Sequence, residues 1–197
     1  MKATLAAVCG WVVLCVSTLN AHAILLTLSE QNTRDAIKQG RDHGAQVAAY
    51  VKQHYHFGGD EKAFRENGII RTTWSKLMIF SGLLAAKGEQ PPSPDVERIL
   101  NSAELQIDIH AYGSHIDFAN DYRAYIIQGG KRIEPATIGI DHPLYLPDAG
   151  HACFPLYHAT IRSYFPYDKI SPAAKAEIVL TKDKTTVSFE VDFADYK

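Results

Sequence analysis

Histidines and a cysteine are the residues of this sequence whose types and spacing could bind a metal or carry out catalysis. The segment HACFPLYH places Cys153 between His151 and His158, and the segment IHAYGSHIDFANDY contains His110 and His115. Imidazole nitrogen and thiolate sulfur are ligands that zinc and copper accept readily. These five residues therefore form a candidate metal site, with Zn or Cu as the alternative to a protein that has no cofactor.

The order of Cys153 and His158 resembles the ligand order of the blue-copper cupredoxins, which are β-sandwich proteins. The resemblance implies that His110 or His115 is the earlier histidine ligand. The sequence departs from the pattern in three ways. No axial methionine follows the cysteine, since Met78 is the only methionine after the first residue. The glycine-rich run before the cysteine is reduced to one glycine, and at least three predicted strands follow the second histidine.

Two other interpretations of Cys153 need no metal. Phe154 and Leu156 beside it favour a small buried hydrophobic residue, the usual state of an unpaired cysteine. A reactive thiol would need a neighbour that stabilises the thiolate, and His151 or His158 could supply one. The sequence locates no oxyanion donor for such a thiol, so it favours the buried interpretation.

His54 and His56 form an H-x-H pair, which binds zinc in metallo-hydrolases when an aspartate follows two residues later. Here Asp60 comes four residues after His56. The pair also falls at a predicted helix end, where residues two apart point about 200° away from each other. We therefore expect these histidines to interact with the terminal carbonyl groups of that helix.

Ser114, His115 and Asp117 have the residue types of a hydrolase triad, but the G-x-S-x-G nucleophile elbow is absent from the sequence. A strand that runs into a polar loop explains the same residues, with His110 on its solvent face. Phosphate-binding, dinucleotide-binding, H-E-x-x-H and EF-hand motifs are absent as well. The sequence thus identifies no catalytic and no cofactor-binding residue, which favours a non-enzymatic role and leaves an enzyme open.

Residues 1–23 have the layout of a cleaved secretory signal. Lys2 precedes an apolar stretch, and Ala21 and Ala23 form an Ala-x-Ala cleavage site. The apolar stretch is shorter than the roughly 20 residues of a membrane span. We expect a soluble periplasmic or secreted bacterial protein without a stable membrane span; the alternative is an uncleaved N-terminal anchor. The processed chain keeps one cysteine and so forms no internal disulfide.

Charge and length narrow the class of protein. The 20 basic and 22 acidic side chains give a formal net charge of −2, and both signs are mixed along the chain. This pattern offers no basic surface for nucleic acid or anionic lipid. After signal removal the chain is long enough for one domain, or for one domain with a helical extension.

Residues 24–90 are predicted to be helical. Ser29 is a suitable N-cap for a helix that reaches about Tyr55. Gly40 and Gly44 lie inside this helix, which indicates either a neighbour packed close to its backbone or a break at one of the glycines.

A second helix is predicted over Thr73–Lys87, apolar on nearly all sides and therefore buried, and ended by Gly88. Residues 91–103 are predicted to form a linker and a short helix capped by Ser93.

Residues 104–197 alternate between apolar and polar side chains, which is typical of strands with one wet face. Gly129-Gly130 predicts a hairpin, and Lys182-Asp183-Lys184 predicts the turn of a later one. The predicted fold class is α+β, with a helical N-terminal part packed on an antiparallel immunoglobulin-like β-sandwich.

Three functions remain open on the sequence alone. The leading hypothesis is an exported, non-enzymatic module that binds an envelope protein or a small ligand. The alternative is a zinc- or copper-binding protein that uses the clustered histidines and Cys153. A third is an acid-responsive protein, since histidine titrates at a pH of about 6.5.

Overall fold

The computed structural model of the chain describes residues 23–147 and 155–197. The α-helices are α1 (Glu30–His43), α2 (Val47–Tyr55), α3 (Thr73–Ala85) and α4 (Ser93–Leu100). Short 3-10 helices cover Gly44–Gln46, Glu61–Ala63, Tyr167–Lys169 and Phe193–Asp195. The strands are β1 (His56–Gly58), β2 (Asn67–Arg71), β3 (Glu104–Gly113), β4 (Arg123–Gln128), β5 (Lys131–Ile133), β6 (Thr137–Ile140), β7 (Leu144–Tyr145), β8 (Tyr157–Pro166), β9 (Lys175–Lys182) and β10 (Thr185–Asp192).

The strands form two antiparallel sheets. Sheet A has the order β1-β2-β3-β8-β6, with β7 paired to another part of β8, and sheet B has the order β10-β9-β4-β5. The chain crosses from sheet A to sheet B between β3 and β4, and again between β8 and β9. Helices together with antiparallel sheets confirm the α+β part of the predicted fold class.

The first predicted helix is divided in two. Ser29 caps α1 as predicted, because its side chain accepts a hydrogen bond from the Asn32 N–H. The helix breaks at Gly44, whose φ of 50° is a conformation that suits glycine. Gly40 lies against α3, since a Cβ there would come within 2.2 Å of the Met78 carbonyl oxygen. Both interpretations of the two glycines therefore hold, one at each position.

The second predicted helix is confirmed as α3, with Thr72 as its cap and Gly88 at a φ of 77° just beyond its end. The prediction that α3 is buried on nearly all sides is wrong. Leu83 is 48% exposed, and its neighbours Ile79 and Phe80 are only partly buried. The apolar face of α3 is wider than the surface that covers it.

The short helix α4 begins one residue earlier than predicted. Its N-cap is Pro92, not Ser93, and Pro94 occupies the second helical position. Prolines at these positions stop the chain from extending the helix backwards and set the backbone angle for its first turn.

The predicted strands alternate as expected and face a shared core. The alternation in β3 buries Leu105, Ile107, Ile109 and Ala111. The turn at Gly129-Gly130 has positive φ at both glycines, which is the conformation of a tight type I′ hairpin. Buried residues of both sheets belong to one hydrophobic cluster, which also contains Val47, Val51 and Tyr55 of α2. The helical part is therefore packed on the sheets.

The predicted boundaries place too few strands in the N-terminal part. Residues 24–90 also supply β1 and β2, and β2 pairs along its whole length with β3. These strands are short, three and five residues, so they show no apolar-polar alternation that the sequence could reveal. Residues 91–103 hold α4, as predicted.

The predicted signal segment lies outside the described residues except for Ala23. Within the two described ranges, no helix has the length and apolar character needed to cross a membrane.

Candidate functional site

The outer face of sheet A collects the polar residues that alternate with the core residues of β3 and β8. The register of the two strands pairs His110 with Thr160, Tyr112 with His158 and Asp108 with Arg162. Side chains that oppose each other in an antiparallel pair share a face of the sheet, and diagonal neighbours on that face are also close. Polar groups from distant parts of the sequence therefore meet on one surface.

His110 and His158 form a pair at one end of this face. His110 Nδ1 lies 3.1 Å from His158 Nε2, and Thr160 Oγ1 lies 3.3 Å from His110 Nδ1. The two rings are stacked, with centroids 5.2 Å apart. One imidazole can donate its ring proton to the other, which requires that at most one of the facing nitrogens is protonated.

The surroundings of the histidine pair favour neutral imidazoles. Burial is the main cause that lowers the pKa of His110, and the neighbouring His158 lowers it further. Burial also lowers the pKa of His158. Glu61 and Asp108 oppose the shift at His110, and Glu61 and Asp141 oppose it at His158.

The structure brings together two of the five residues predicted to bind metal. His115 is exposed in the turn after β3 and makes no part of the pair. His151 and Cys153 lie outside the described residues, so the predictions about them remain predictions. Across residues 23–147 and 155–197, no three His, Cys, Asp or Glu side chains are grouped closely enough to hold a metal ion.

The other two histidine motifs have local explanations. His54 Nδ1 lies 2.8 Å from the carbonyl oxygen of Tyr50, one turn earlier in α2, which confirms the expected contact with the helix carbonyls. The H-x-H partner, His56, opens β1. Ser114 and Asp117 are exposed in the turn that follows β3, as expected for a strand running into a polar loop.

Farther along the same face, Asp108 is the centre of a charge network. Its side chain is 4% exposed and forms a close ion pair with Arg71. Gln106 donates to Asp108 at 2.8 Å, and Arg162 Nε lies 3.8 Å from the carboxylate. Arg162 also pairs with Asp141 at 2.7 Å. Two guanidinium groups and an amide thus compensate one buried carboxylate.

A groove of about 340 Å³ runs between this network and α3, and we refer to it as the α3 groove. Sheet A contributes Arg71, Gln106, Asp108, Arg162 and Tyr164, and α3 contributes Lys76, Ile79, Phe80 and Leu83. One wall is therefore polar with an excess of cationic side chains, and the other is apolar. The exposed side of α3 described above is the apolar wall.

Lys76 stands where the two walls meet. Its ammonium donates to the Glu104 carbonyl oxygen at 2.9 Å. Burial lowers the pKa of Lys76 to about 8, against the opposing effect of Glu104 and Asp108. The amine is therefore mostly protonated at pH 7, and half of it is deprotonated at a pH of about 8.

The sequence missed the residues of the groove because no motif marks them. Arg71, Lys76 and Arg162 are widely spaced and ordinary in type. The sequence did contain one indication of the groove. Ile79, Phe80 and Leu83 extend the apolar surface of the predicted helix beyond the one face that a neighbouring element would cover. An excess of apolar side chains on a helix that cannot be fully covered can mark a binding surface.

Comparison of the sequence with known protein families and with curated proteins gives no match. Function is therefore inferred from the chemistry of the outer face of sheet A.

Proposed function

We propose that this protein is an exported, non-enzymatic binding module, and that the α3 groove takes a small ligand with an anionic group next to a short apolar group. The observation that carries the proposal is that a cationic wall of the groove faces an apolar wall. Arg71 and Arg162 of sheet A line one side of the groove, Lys76 lies where the two walls meet, and the partly exposed apolar side chains of α3 line the other side. Sites for small ligands combine apolar walls with a few polar groups that fix orientation.

The charge of the polar wall favours an anion. Three cationic side chains line the groove against one carboxylate, Asp108, and that carboxylate is already paired with Arg71. Arg162 keeps 43% of its side chain exposed. Arginine forms bidentate hydrogen bonds with carboxylate and phosphate groups, so Arg162 and Lys76 can hold an anionic head while Leu83 covers the apolar tail.

Three larger depressions suit this role less well. In the one beside α1, Lys38 is already paired with Asp42, and Ile37 is the one large apolar side chain of the lining. Two more lie on sheet B. One lies on β9 and β10 and is lined by Glu177, Glu190 and Asp192 with a single lysine. The other lies beside the β4–β5 hairpin, where the amide of Gln128 bonds the backbone of Ser171 and Ala174. The first would repel an anion. The second has three cationic side chains, Lys131, Arg132 and Lys169, but Arg132 is paired with Glu134, and Ile133 is the one large apolar side chain of its lining, so it offers no apolar wall.

The finer part of the fold class is also a proposal: we propose that the two sheets form an immunoglobulin-like sandwich. The order β2-β3-β8-β6 has the neighbour relations of strands A-B-E-D, and β10-β9-β4-β5 has those of strands G-F-C-C′. The two crossings from sheet A to sheet B, β3 to β4 and β8 to β9, fit the B–C and E–F connections, and the return from β5 to β6 fits the C′–D connection. Such folds carry many unrelated functions, so the fold adds nothing to the choice of ligand.

Ligand binding is tested with octanoate, acetate and octanol as probes. Octanoate has both features, acetate has only the charge, and octanol has only the tail. We expect octanoate to raise the melting temperature and to bind with at least tenfold higher affinity than either other probe, measured by calorimetry. A ligand that binds only the native state raises the melting temperature, and the rise continues with the logarithm of the ligand concentration above the dissociation constant.

Matched variants place the binding in the groove. Leu83→Ser should weaken octanoate binding, whereas Leu144→Ser, at a leucine that is 63% exposed outside the groove, should leave it unchanged. Equal binding of the three probes, or equal loss in the two variants, would contradict the groove. Turnover of ester, peptide or glycan substrates by the purified protein would contradict the non-enzymatic role.

A further inference from the structure

We propose that His110 and His158 form a chelating site for a divalent zinc or copper ion, bound through His110 Nδ1 and His158 Nε2. The site is separate from the α3 groove, so the proposal does not depend on the ligand that the groove takes. It also needs fewer residues than the five-residue site expected from the sequence.

The distance between the two nitrogens fits chelation. They lie 3.1 Å apart in the structure. Two imidazole nitrogens at about 2.0–2.1 Å from a tetrahedral zinc ion are separated by about 3.3 Å. The separation of the nitrogens therefore needs to change by only a few tenths of an ångström. The rings must also turn about their side-chain torsions so that both lone pairs point at the ion, and the strands that carry the rings need not move.

Both rings can present a lone pair to the ion without a net change in protonation. In the pair, one facing nitrogen carries a hydrogen and donates it to the other. When the ion binds, the ring that donated this hydrogen changes tautomer, losing the proton from its facing nitrogen and taking one up from water on its other nitrogen. His110 is then protonated on Nε2 and His158 on Nδ1. The ion then replaces the hydrogen that the two facing nitrogens shared.

The charged groups around the histidine pair are balanced. Glu61 interacts electrostatically with both rings, Asp108 with His110, and Asp141 with His158. The opposing cation is Lys52, which is ion-paired with Glu61. Each of the three carboxylates is also ion-paired, Glu61 with Lys52, Asp108 with Arg71 and Asp141 with Arg162, so the surroundings do not repel a cation and the geometry of the two rings carries the proposal.

The expected affinity is that of a two-ligand site. Since the described residues group no third ligand with the pair, water completes the coordination of the ion. Sites with nitrogen ligands bind Cu²⁺ more tightly than Zn²⁺, following the general order of divalent metals. We therefore expect copper to bind at least tenfold more tightly than zinc.

The test is calorimetric titration of chelator-treated full-length protein with ZnCl₂ at pH 7.5. One ion per chain should bind. His110→Gln and His158→Gln should each weaken zinc binding at least tenfold, because chelation needs both rings. His115→Gln should bind as the wild type does, since His115 is exposed elsewhere. Cys153→Ser should also bind normally, because the proposed site does not use the thiol.

Several results would overturn the proposal. These are unchanged zinc binding in His110→Gln, loss of binding in Cys153→Ser, or no binding by the wild type at millimolar zinc. If no metal binds and the two rings titrate as a coupled pair by NMR, the pair only shares a proton.

A second measurement uses only the wild type, so it tests the site even if the variants fail to fold. Electron paramagnetic resonance of the wild type with one equivalent of CuCl₂ should show two equivalent imidazole nitrogens, and one nitrogen or none would also refute the site. Protons compete for the same lone pairs, so zinc affinity should fall as the pH decreases from 7.5 to 5.5.

Discussion

Asp108 is the single residue on which the polar face of sheet A depends most. Its carboxylate has lost nearly all of its water, and Arg71 supplies the nearest opposite charge. We predict that Arg71→Ala lowers the free energy of unfolding by about 3 kcal/mol, because the buried carboxylate then keeps only the hydrogen bond from the neutral Gln106 amide and the longer contact with Arg162. Urea unfolding at pH 7, followed by circular dichroism, measures this loss.

Arg34 provides the matched control for Arg71. It also forms an arginine–carboxylate pair, with Glu30 at 2.6 Å, but both side chains are more than half exposed. Arg34→Ala should cost less than about 0.5 kcal/mol. Equal losses in the two variants would show that the buried Asp108 carboxylate does not depend on the charge of Arg71. Adding Asp108→Asn to Arg71→Ala should recover part of the loss.

Lys76 gives the groove a pH dependence above neutrality. The amine has a pKa of about 8, and an anionic ligand binds its protonated form. We predict that octanoate affinity falls about tenfold from pH 7 to pH 9, as the protonated fraction falls by that factor. Calorimetry at constant ionic strength measures the change.

Lys76→Arg separates this effect from other groups that titrate in the same range. A guanidinium stays charged up to pH 9, so the variant should lose the decline in affinity. If Lys76→Arg and the wild type declined equally, another group would control binding.

At the scale of the elements, Gly40 and Gly44 have different roles although both interrupt the same predicted helix. Gly40 lets α1 approach α3, and an alanine Cβ would lie 2.2 Å from the Met78 carbonyl oxygen. We predict that Gly40→Ala lowers the free energy of unfolding by more than about 2 kcal/mol, since two helix backbones must move apart. Chemical denaturation measures the loss.

Two other glycines serve as controls for the Gly40→Ala prediction. Gly139→Ala in β6 meets open space and should change the free energy of unfolding little. Gly44→Ala also meets open space, but its φ of 50° and ψ of −128° suit only glycine, so it should cost about 1–3 kcal/mol through the backbone alone. A loss at Gly40 no larger than that at Gly139 would show that the two helices adjust without strain.

The sequence predicted the elements better than the site for a physical reason. Strands such as β3 and β9 alternate over eight or ten residues, and a hairpin turn such as Gly129-Gly130 has a local signature. The histidine pair depends instead on the register between β3 and β8, which joins residues 48 positions apart. A pattern read along one strand cannot show which strand lies beside it.

The same limit explains the error on α3. Its composition correctly predicted an apolar helix, but only tertiary packing decides how much of that surface is covered. Trp74 and Leu77 pack into a second cluster with Ala36 of α1, which leaves Leu83 on the open side. The groove therefore results from the position of one helix relative to a sheet.

At the scale of the whole molecule, helices and sheets belong to one folding unit. Val51 of α2 shares its hydrophobic cluster with residues of both sheets, and Tyr55 donates to the Lys197 carbonyl oxygen at 3.3 Å. The Lys197 ammonium lies 3.7 Å from the Trp74 ring centroid. Substitutions in the histidine pair or the groove should therefore change the free energy of global unfolding.

The pH dependence of stability tests the histidine pair through that global unfolding. Both histidines have lowered pKa values in the folded protein, so between those values and about 6.5 the unfolded chain binds protons that the folded chain does not. The free energy of unfolding is then constant above about pH 6.5 and falls as the pH decreases below it. Glu61 has a lowered pKa, so its contribution is lost only at lower pH, below its usual range.

We predict a loss of stability between pH 7 and pH 5, measured by urea unfolding in the presence of a chelator. The slope for each histidine should stay well below about 1.4 kcal/mol per pH unit, the limit for one full proton, because solvent screens half-buried groups. His110→Gln and His158→Gln should each flatten the slope, and His115→Gln should keep it. Identical slopes in all three variants would mean that the pair does not control the acid response, because the groups that face it, Glu61, Asp108, Asp141 and Lys52, are unchanged in each of them.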